Sequence, residues 1–255
     1  MLRPSSRQIT KERILSYGPY GSGKSNGWAS IRRWYELTET PGRFKVISTE
    51  WEMAHRTAEG YLDGEPGNNF FSNATIDEAW DYETLVAVNE KVRADVTADD
   101  WVVVDSIGNY WLWTQDHYCR ENFGKDFKRF MAEGGKVREI NWQVVNAMYR
   151  DLVLPLVVRN PAHFYATAQA DPVQTEGSWA DSKEVREMFG RFGAKPVGQK
   201  QLGYQFHTVL LMKPAGKGEW CFTSVDDPSR EKVTNAPMLD FVASYLMPIA
   251  GWEMD

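Results

Sequence analysis

The fold is indicated by one short stretch, residues 18–25, which reads Gly18-Pro19-Tyr20-Gly21-Ser22-Gly23-Lys24-Ser25. It matches the pattern G-x-x-x-x-G-K-[ST], in which glycines let the backbone wrap a phosphate at dihedral angles that a Cβ atom opposes. The wrapped N–H groups and the N-terminus of the next helix offer partial positive charge. Lys24 adds a point charge for the β- and γ-phosphates, and Ser25 supplies a hydroxyl ligand for Mg²⁺. The sequence therefore predicts that this stretch, together with Asn26, binds the phosphates of ATP.

The segments on either side have the pattern that such a loop requires. Residues 13–17 predict a short buried strand that runs into the glycines. Residues 24–37 predict a helix, because apolar side chains recur there at helical spacing, namely Trp28, Ile31, Trp34 and Leu37. The alternative is a glycine-rich turn with an incidental lysine, and the strand before it and the helix after it argue against that interpretation.

Strands and helices alternate along the chain, which predicts an α/β fold. The predicted strands lie at residues 13–17, 44–48, 101–105, 162–168, 206–212 and 219–225, and the predicted helices at 24–37, 81–93, 141–158 and 238–247. This alternation favours a mainly parallel sheet with helices on both faces, and the last two strands predict a C-terminal β-hairpin. We expect one domain over residues 1–255, with an aromatic and charged insertion at about 107–140 and loops at 60–75 and 171–203.

Three predicted strand ends carry side chains suited to catalysis. Asp105 ends a buried strand, where a carboxylate would hold Mg²⁺ through water together with Ser25; the alternative role is a helix N-cap. Glu50 follows the second strand and is the first candidate to orient or deprotonate the attacking water, with Glu52 as the second. The alternative is that both are solvated loop carboxylates. Gln169 is a candidate sensor of the γ-phosphate, or else an ordinary strand-end residue. Parallel strands would bring all these ends to the edge of the sheet beside the glycine-rich loop.

The composition excludes a broadly basic surface. The 255 residues carry a formal net charge of −6, and 42% of them are hydrophobic. An acidic chain lacks the overall charge of a nonspecific DNA-binding protein, so nucleic acid would have to contact a local basic patch or surfaces combined in an oligomer. Two distant cysteines, an N-terminus without an apolar segment and the absence of a long apolar run predict a cytoplasmic protein without membrane contact.

One local basic cluster lies within the predicted insertion. It consists of Lys125, Lys128, Arg129, Lys136 and Arg138, and aromatic side chains are interleaved with it, namely Phe123, Phe127, Phe130 and Trp142. Cations and aromatic rings together suit single-stranded DNA, whose phosphates pair with the cations and whose bases stack on the rings. The alternative is an amphipathic helix with a solvated charged face.

In combination, the motifs at residues 18–25, Glu50, Asp105 and Gln169 resemble the RecA-like ATPase core. More closely, they resemble the compact phage-encoded P-loop NTPases, related to RecA, that are associated with single-strand annealing and recombination. The resemblance covers residues 12 to about 225. It implies a RecA-type sheet, a water-activating Glu50, a γ-phosphate sensor at Gln169, and ATP held between subunits of a homo-oligomeric ring or filament. It also implies the cytoplasm of the host, if a phage encodes the chain.

Such assemblies often reach the neighbour's nucleotide with a lysine or arginine. The candidates for this role are Lys195, Lys200 and Arg230. The sequence departs from the family in two respects, because it shows neither a long N-terminal oligomerisation helix nor a separate C-terminal DNA-binding domain.

The motifs together predict a Mg²⁺-dependent ATPase that couples ATP turnover to single-stranded DNA annealing or recombination. One alternative is a P-loop kinase with a small acceptor, because residues 171–203 contain Arg186 and Arg191, as an arginine-bearing lid would. A second is a helicase or packaging motor, and a third is a nucleotide-dependent switch with negligible turnover.

Overall fold

A computed structural model of the chain describes residues 1–4, 11–50, 73–177, 180–227, 230–238 and 240–254. Its strands are β1 (Leu2–Pro4), β2 (Arg13–Gly18), β3 (Phe44–Ser48), β4 (Ala74–Glu78), β5 (Trp101–Asp105), β6 (His163–Pro172), β7 (Ala194–Pro196), β8 (Thr208–Gly216), β9 (Glu219–Asp226), β10 (Ala236–Met238) and β11 (Trp252–Met254). Its α-helices are α1 (Lys24–Leu37), α2 (Tyr82–Asp95), α3 (Gly108–Phe123), α4 (Phe127–Ala132), α5 (Glu139–Val157) and α6 (Lys183–Phe189). Two 3₁₀ turns lie at Gly190–Phe192 and Leu202–Gln205, and a π-helix lies at Val242–Leu246.

Six neighbouring parallel strands form the middle of the main sheet. In the part of the chain that the structure describes, the strand order is β10-β9-β8-β2-β6-β5-β3-β4, and every pair from β8 to β4 is parallel. Strand β9 runs antiparallel to β8 and β10, and β7 pairs antiparallel with the end of β6. Strands β1 and β11 form a separate antiparallel pair. Because parallel strands share the direction of their carboxyl ends, the segments after β2, β3 and β5 leave the sheet at one edge.

Helices cover both faces of this sheet, and the apolar run of β5 packs into a hydrophobic core on each face. Trp101 and Val103 pack on the side of α1 and the π-helix, whereas Val102 and Val104 pack on the side of α2, α3 and α5. All four side chains are fully buried. A strand buried on both faces needs an unbroken hydrophobic run rather than an alternating one. The predicted α/β fold, with a mainly parallel sheet and a C-terminal hairpin formed by β8 and β9, is confirmed.

Three of the predicted segments are wrong in detail. Residues 60–72 of the loop predicted at 60–75 lie outside the described residues, and its last two residues belong to β4, an edge strand whose partly exposed sequence lacks an apolar run. The loop predicted at 171–203 contains α6, capped by the hydroxyl of Ser182, and β7. The helix predicted at 238–247 is a short strand that ends at Met238, followed by a π-helix. The predicted insertion at about 107–140 consists largely of α3 and α4.

No helix among the described residues is long and apolar enough to cross a lipid bilayer.

Candidate nucleotide-binding site

The glycine-rich loop joins β2 to α1 at the centre of the sheet. Gly21 and Gly23 have φ angles of 74° and 81°, in the left-handed region that favours glycine. Gly18 is needed for a different reason, because a Cβ atom there would lie 2.2 Å from the carbonyl oxygen of Met212 in β8. The loop can therefore curve only with glycines at these positions, as the sequence pattern predicts.

Lys24 and the first turn of α1 make this loop electropositive. The Nζ atom of Lys24 donates to the carbonyl oxygens of Gly18 at 3.1 Å and Pro19 at 2.9 Å, and the residue is only 7% exposed. Burial lowers the pKa of the Lys24 ammonium, an effect that the nearby carboxylates of Asp105 and Glu50 oppose. Helix α1 has no acidic residue in its first turn and no side-chain cap, so its first N–H groups remain available to an anion.

Asp105 occupies the carboxyl end of β5 and is 2% exposed. Its Oδ2 atom accepts a hydrogen bond from Nε1 of Trp28 in α1 at 3.1 Å, and its Oδ1 atom accepts one from the hydroxyl of Thr167 in β6. The carboxylate is therefore held between the helix that follows the loop and the neighbouring strand. Since both oxygens already accept hydrogen bonds, Asp105 suits a metal contact through water better than direct ligation.

The donor set near the loop fits magnesium. Ser25 and Asp105 offer hard oxygen atoms, which Mg²⁺ prefers, and Mg²⁺ is commonly held by one or two protein oxygens, substrate phosphates and water. Within the described residues, no group of three or more His, Cys, Asp or Glu side chains forms a protein cage for a metal ion. Ser25 and Asp105 could therefore hold a Mg²⁺ ion together with phosphate oxygens and water.

Glu50 and Gln169 contact each other and line a cavity together with residues of the glycine-rich loop. The Nε2 atom of Gln169 lies 3.4 Å from Oε1 of Glu50, a distance at the long end of a hydrogen bond. Burial raises the pKa of Glu50 and Asp105 raises it further, while Gln169 and Lys24 oppose the shift. The cavity has a volume of about 200 Å³ and is lined by Tyr20, Gly21, Ser22, Gly23, Lys24, Ser25, Asn26, Glu50, Gln169 and Trp220. Glu52, the second candidate for the water-activating group, lies outside the described residues.

Thr49 and Asn109 fix the segment that carries Glu50. The hydroxyl of Thr49 donates to the carbonyl oxygen of Ser106 at 2.7 Å and accepts from its N–H at 2.8 Å. The side-chain amide of Asn109 in α3 donates to Thr49 O at 3.1 Å and to Thr49 Oγ1 at 3.0 Å. The Asp105–Ser106 peptide bond, at the centre of this arrangement, is cis. Glu50 is thus tied to the end of β5, a link that the sequence alone does not reveal because Asn109 carries no motif.

Trp220 is a further residue of the cavity that the motifs do not identify. It lies near the start of β9, and its Nε1 atom donates to the carbonyl oxygen of Gly21 at 2.9 Å. Its ring also covers Gly23, because a Cβ atom built there would lie 2.7 Å from Trp220 Cγ. From the sequence, Trp220 is predicted only to lie in the second strand of the hairpin. That position does not indicate that its side chain contacts the glycine-rich loop.

The residues expected to reach a neighbour's nucleotide differ in their surroundings. Arg230 does not fit the predicted role, because its side chain is only 3% exposed. It donates to Glu12, just before β2, at 2.7 Å and to the hydroxyl of Tyr245 at 3.0 Å. Lys195 forms an ion pair with Asp181 and lies 3.9 Å from Asp171. Lys200 is exposed.

The basic cluster is engaged within the chain only in part, whereas both arginines of the predicted lid donate to backbone oxygens. Lys125 and Arg129 both pair with Glu133, whereas Lys128, Lys136 and Arg138 are exposed and form no ion pair with the described residues. The aromatic rings of the cluster pack on each other, with Phe123 stacked on Phe130 and Phe127 set against Trp142. In the predicted lid, Arg186 and Arg191 donate to the backbone oxygens of Thr175 and Val225, each at 3.4 Å.

A comparison with solved structures relates the fold to that of a recombinase. The crystal structure of the RadB recombinase matches the chain with a TM-score of 0.52 and 18% sequence identity, over 92% of this chain and 87% of that chain. At this level of identity the likeness concerns the fold, and it confirms the predicted RecA-like architecture. No protein-family model matches the sequence, and no curated protein matches it.

Proposed function

We propose that the protein is a Mg²⁺-dependent ATPase that couples ATP turnover to the annealing or recombination of single-stranded DNA. The observation that carries this proposal is the pairing of Glu50 with Gln169 in the cavity that the glycine-rich loop also lines. A loop alone binds a triphosphate, but hydrolysis also needs a group that orients or deprotonates water near the γ-phosphate. The structural likeness to a recombinase supports the choice of recombination among the processes that use ATP.

In this mechanism each side chain has a distinct role. Lys24 neutralises charge at the β- and γ-phosphates, and the N–H groups of the loop bind the phosphate oxygens. Ser25 and Asp105 would hold the Mg²⁺ ion, which supplies positive charge to the phosphates when bound. Glu50 accepts a proton from the attacking water or orients it, and its raised pKa makes it a stronger base than an ordinary glutamate. Gln169 contacts Glu50 and senses whether the γ-phosphate is present.

Gln169 is also connected to the segment that follows β6. Its carbonyl oxygen accepts a hydrogen bond from Val197 N at 2.8 Å. Val197 lies just after β7, so a change at the γ-phosphate reaches the residues between β6 and β8 through one backbone contact. This link supports a coupling between nucleotide state and a distant surface.

The DNA contact is proposed at the exposed cations of α4 and of the segment before α5 that form no ion pair with the described residues, namely Lys128, Lys136 and Arg138. These groups would pair with phosphates, which provide most of the affinity for nucleic acid. Because the aromatic rings of the cluster pack on each other, we assign binding to charge rather than to base stacking. We further propose that the protein forms a homo-oligomer with ATP bound between its subunits. Lys200 is the candidate for the cation that reaches the nucleotide of a neighbouring subunit.

The test is phosphate release from ATP with Mg²⁺, measured with and without single-stranded DNA and beside the Lys24→Ala variant. Free phosphate whose release the DNA accelerates is the expected result. A rate of phosphate release that single-stranded DNA does not change would support an ATPase but contradict the coupling to DNA. A phosphorylated small acceptor in place of free phosphate would identify a kinase, and directional displacement of a DNA strand would identify a motor.

A further inference from the structure

We propose that Trp220 is a positioning residue for the phosphate loop, which holds the loop in its triphosphate-binding shape from the β8–β9 hairpin. This inference rests on the proposed nucleotide site and names a residue that acts on it from outside the motif. Trp220 contacts the loop twice, through its Nε1–H bond to Gly21 O at 2.9 Å and through the packing of its ring on Gly23.

The hydrogen bond controls which way a peptide group of the loop faces. The peptide unit between Gly21 and Ser22 is planar and trans, so its C=O and N–H groups point in opposite directions. Because the indole of Trp220 fixes the direction of this C=O, the N–H of Ser22 points the other way and donates to Pro19 O at 3.3 Å within the loop. A phosphate-binding loop requires N–H groups that face inward in this way.

The ring contact adds a second constraint on the same loop. Gly23 has a φ angle of 81°, and it also lies so close to the indole that a side chain would collide with the ring. The indole therefore packs against the loop just before α1 begins at Lys24, and Trp220 lines the same cavity as the loop. The backbone of Trp220 pairs with Pro214 of β8 and Met238 of β10, so the residue that carries the indole lies in a strand held on both sides.

These contacts predict an effect on the phosphates and none that is specific to the base or the ribose. Inorganic tripolyphosphate, which has neither, should therefore depend on Trp220 as strongly as ATP does. Trp220→Phe keeps most of the ring and removes the N–H donor. Loss of one net hydrogen bond corresponds to roughly 2- to 10-fold weaker binding.

The experiment is calorimetric titration of the full chain with Mg²⁺ and either ATP or inorganic tripolyphosphate. We expect Trp220→Phe to weaken the binding of both ligands by the same factor. Trp34→Phe is the matched control, because its Nε1 donates to Asp240 Oδ1 at 2.9 Å on the far side of α1, and it should bind both ligands like the wild type. Trp220→His, which retains an N–H donor, should recover part of the affinity.

Two results would overturn the inference. If Trp220→Phe binds both ligands like the wild type, the indole does not position the loop; if it loses affinity for ATP alone, the residue acts on the base or the ribose. Failure of the wild-type protein to bind either ligand would instead contradict the proposed nucleotide site. Tryptophan emission provides a second readout, since a change on adding tripolyphosphate should vanish in Trp220→Phe and persist in Trp34→Phe.

Discussion

The indole nitrogen of Trp28 lies 3.1 Å from Oδ2 of Asp105, and this contact joins the helix after the phosphate loop to the end of β5. Position 28 belongs to the apolar stripe that predicts α1, so its tryptophan serves both the core and the site. Asp105 is thereby fixed with respect to Ser25, three residues earlier on the same helix as Trp28. The two predicted oxygen donors for Mg²⁺ are thus part of one rigid unit.

Replacement of Lys24 by alanine should abolish ATP turnover without unfolding the protein. The Nζ atom bonds only backbone oxygens of its own loop among the described residues, so its removal leaves no buried carboxylate without a partner. We expect a fall in the rate of phosphate release of at least about 100-fold, the usual scale for removing a transition-state contact. Circular dichroism checks the fold, and a variant that still turns over ATP at the wild-type rate would contradict the assignment.

Replacement of Glu50 by glutamine should trap bound ATP. The amide retains a partner for Gln169 but cannot accept a proton from water, so binding should persist while phosphate release falls. Filter-retained ATP and released phosphate are measured on the same sample. Glu121→Gln, on the exposed face of α3, is the control and should behave like the wild type. Normal turnover in Glu50→Gln would transfer the role to Glu52 or to another group.

The same variant should be more stable than the wild type at neutral pH. The pKa of Glu50 is raised, first by burial and then by Asp105. A group with a raised folded-state pKa contributes stability below its unfolded pKa and loses that contribution as the pH rises through the folded pKa. Ionised Glu50 therefore destabilises the nucleotide-free protein at pH 7. Glu50→Gln should raise the melting temperature there, with a gain that shrinks toward about pH 4; an unchanged or lower value at pH 7 would refute this.

Arg230 should matter for stability and not for the nucleotide of a neighbouring subunit. Its guanidinium pairs with Glu12, which also accepts from Nε1 of Trp252 at 3.0 Å, and all three side chains are buried. Arg230→Ala would leave the Glu12 carboxylate buried without its cation, a change that typically costs about 3–5 kcal/mol. Urea unfolding measures the loss, with the exposed Arg186→Ala as control. Equal stability of the two variants would show that the ion pair is dispensable.

Removal of the exposed cations should weaken DNA binding through charge alone. Combined alanine substitution of Lys128, Lys136 and Arg138 should lower affinity for single-stranded DNA of any sequence. Each lost phosphate contact should reduce the slope of log K against log salt by about 0.7. Lys183→Ala is the control, because that exposed lysine lies 3.6 Å from Glu187 on α6. An unchanged salt dependence would exclude this surface as the DNA contact.

The sequence predicts those parts of the site that local chemistry dictates. The loop needs glycine at positions with positive φ angles, and the run before Asp105 is apolar because β5 is buried on both faces. Such requirements leave a visible pattern. The parallel direction of the strands follows from the same logic, because alternating strands and helices produce a parallel sheet whose carboxyl ends lie at one edge, whereas the order of the strands comes from the structure alone.

Other parts depend on contacts between distant residues and leave no pattern. Nothing near position 109 or 220 in the chain indicates that Asn109 supports Thr49 or that Trp220 covers the loop. Strand β4 escapes prediction because an edge strand of five residues is stabilised by its pairing with β3 rather than by its own apolar content. Arg230 is predicted to reach a neighbouring subunit, but its position in the sequence does not reveal that it forms a buried ion pair with Glu12.

The contacts that complete the site also constrain when it can form. The pairs Trp28–Asp105, Glu50–Gln169 and Gly21–Trp220 are separated by 77, 119 and 199 residues along the chain. During synthesis, the loop and its lysine emerge well before the tryptophan that contacts them, because Gly21 and Trp220 are 199 residues apart. Contacts of such long range form late and slowly during folding. A nascent chain would thus expose a phosphate loop without its indole contact until β9 has been synthesised, and nucleotide would bind the supported loop only after that point.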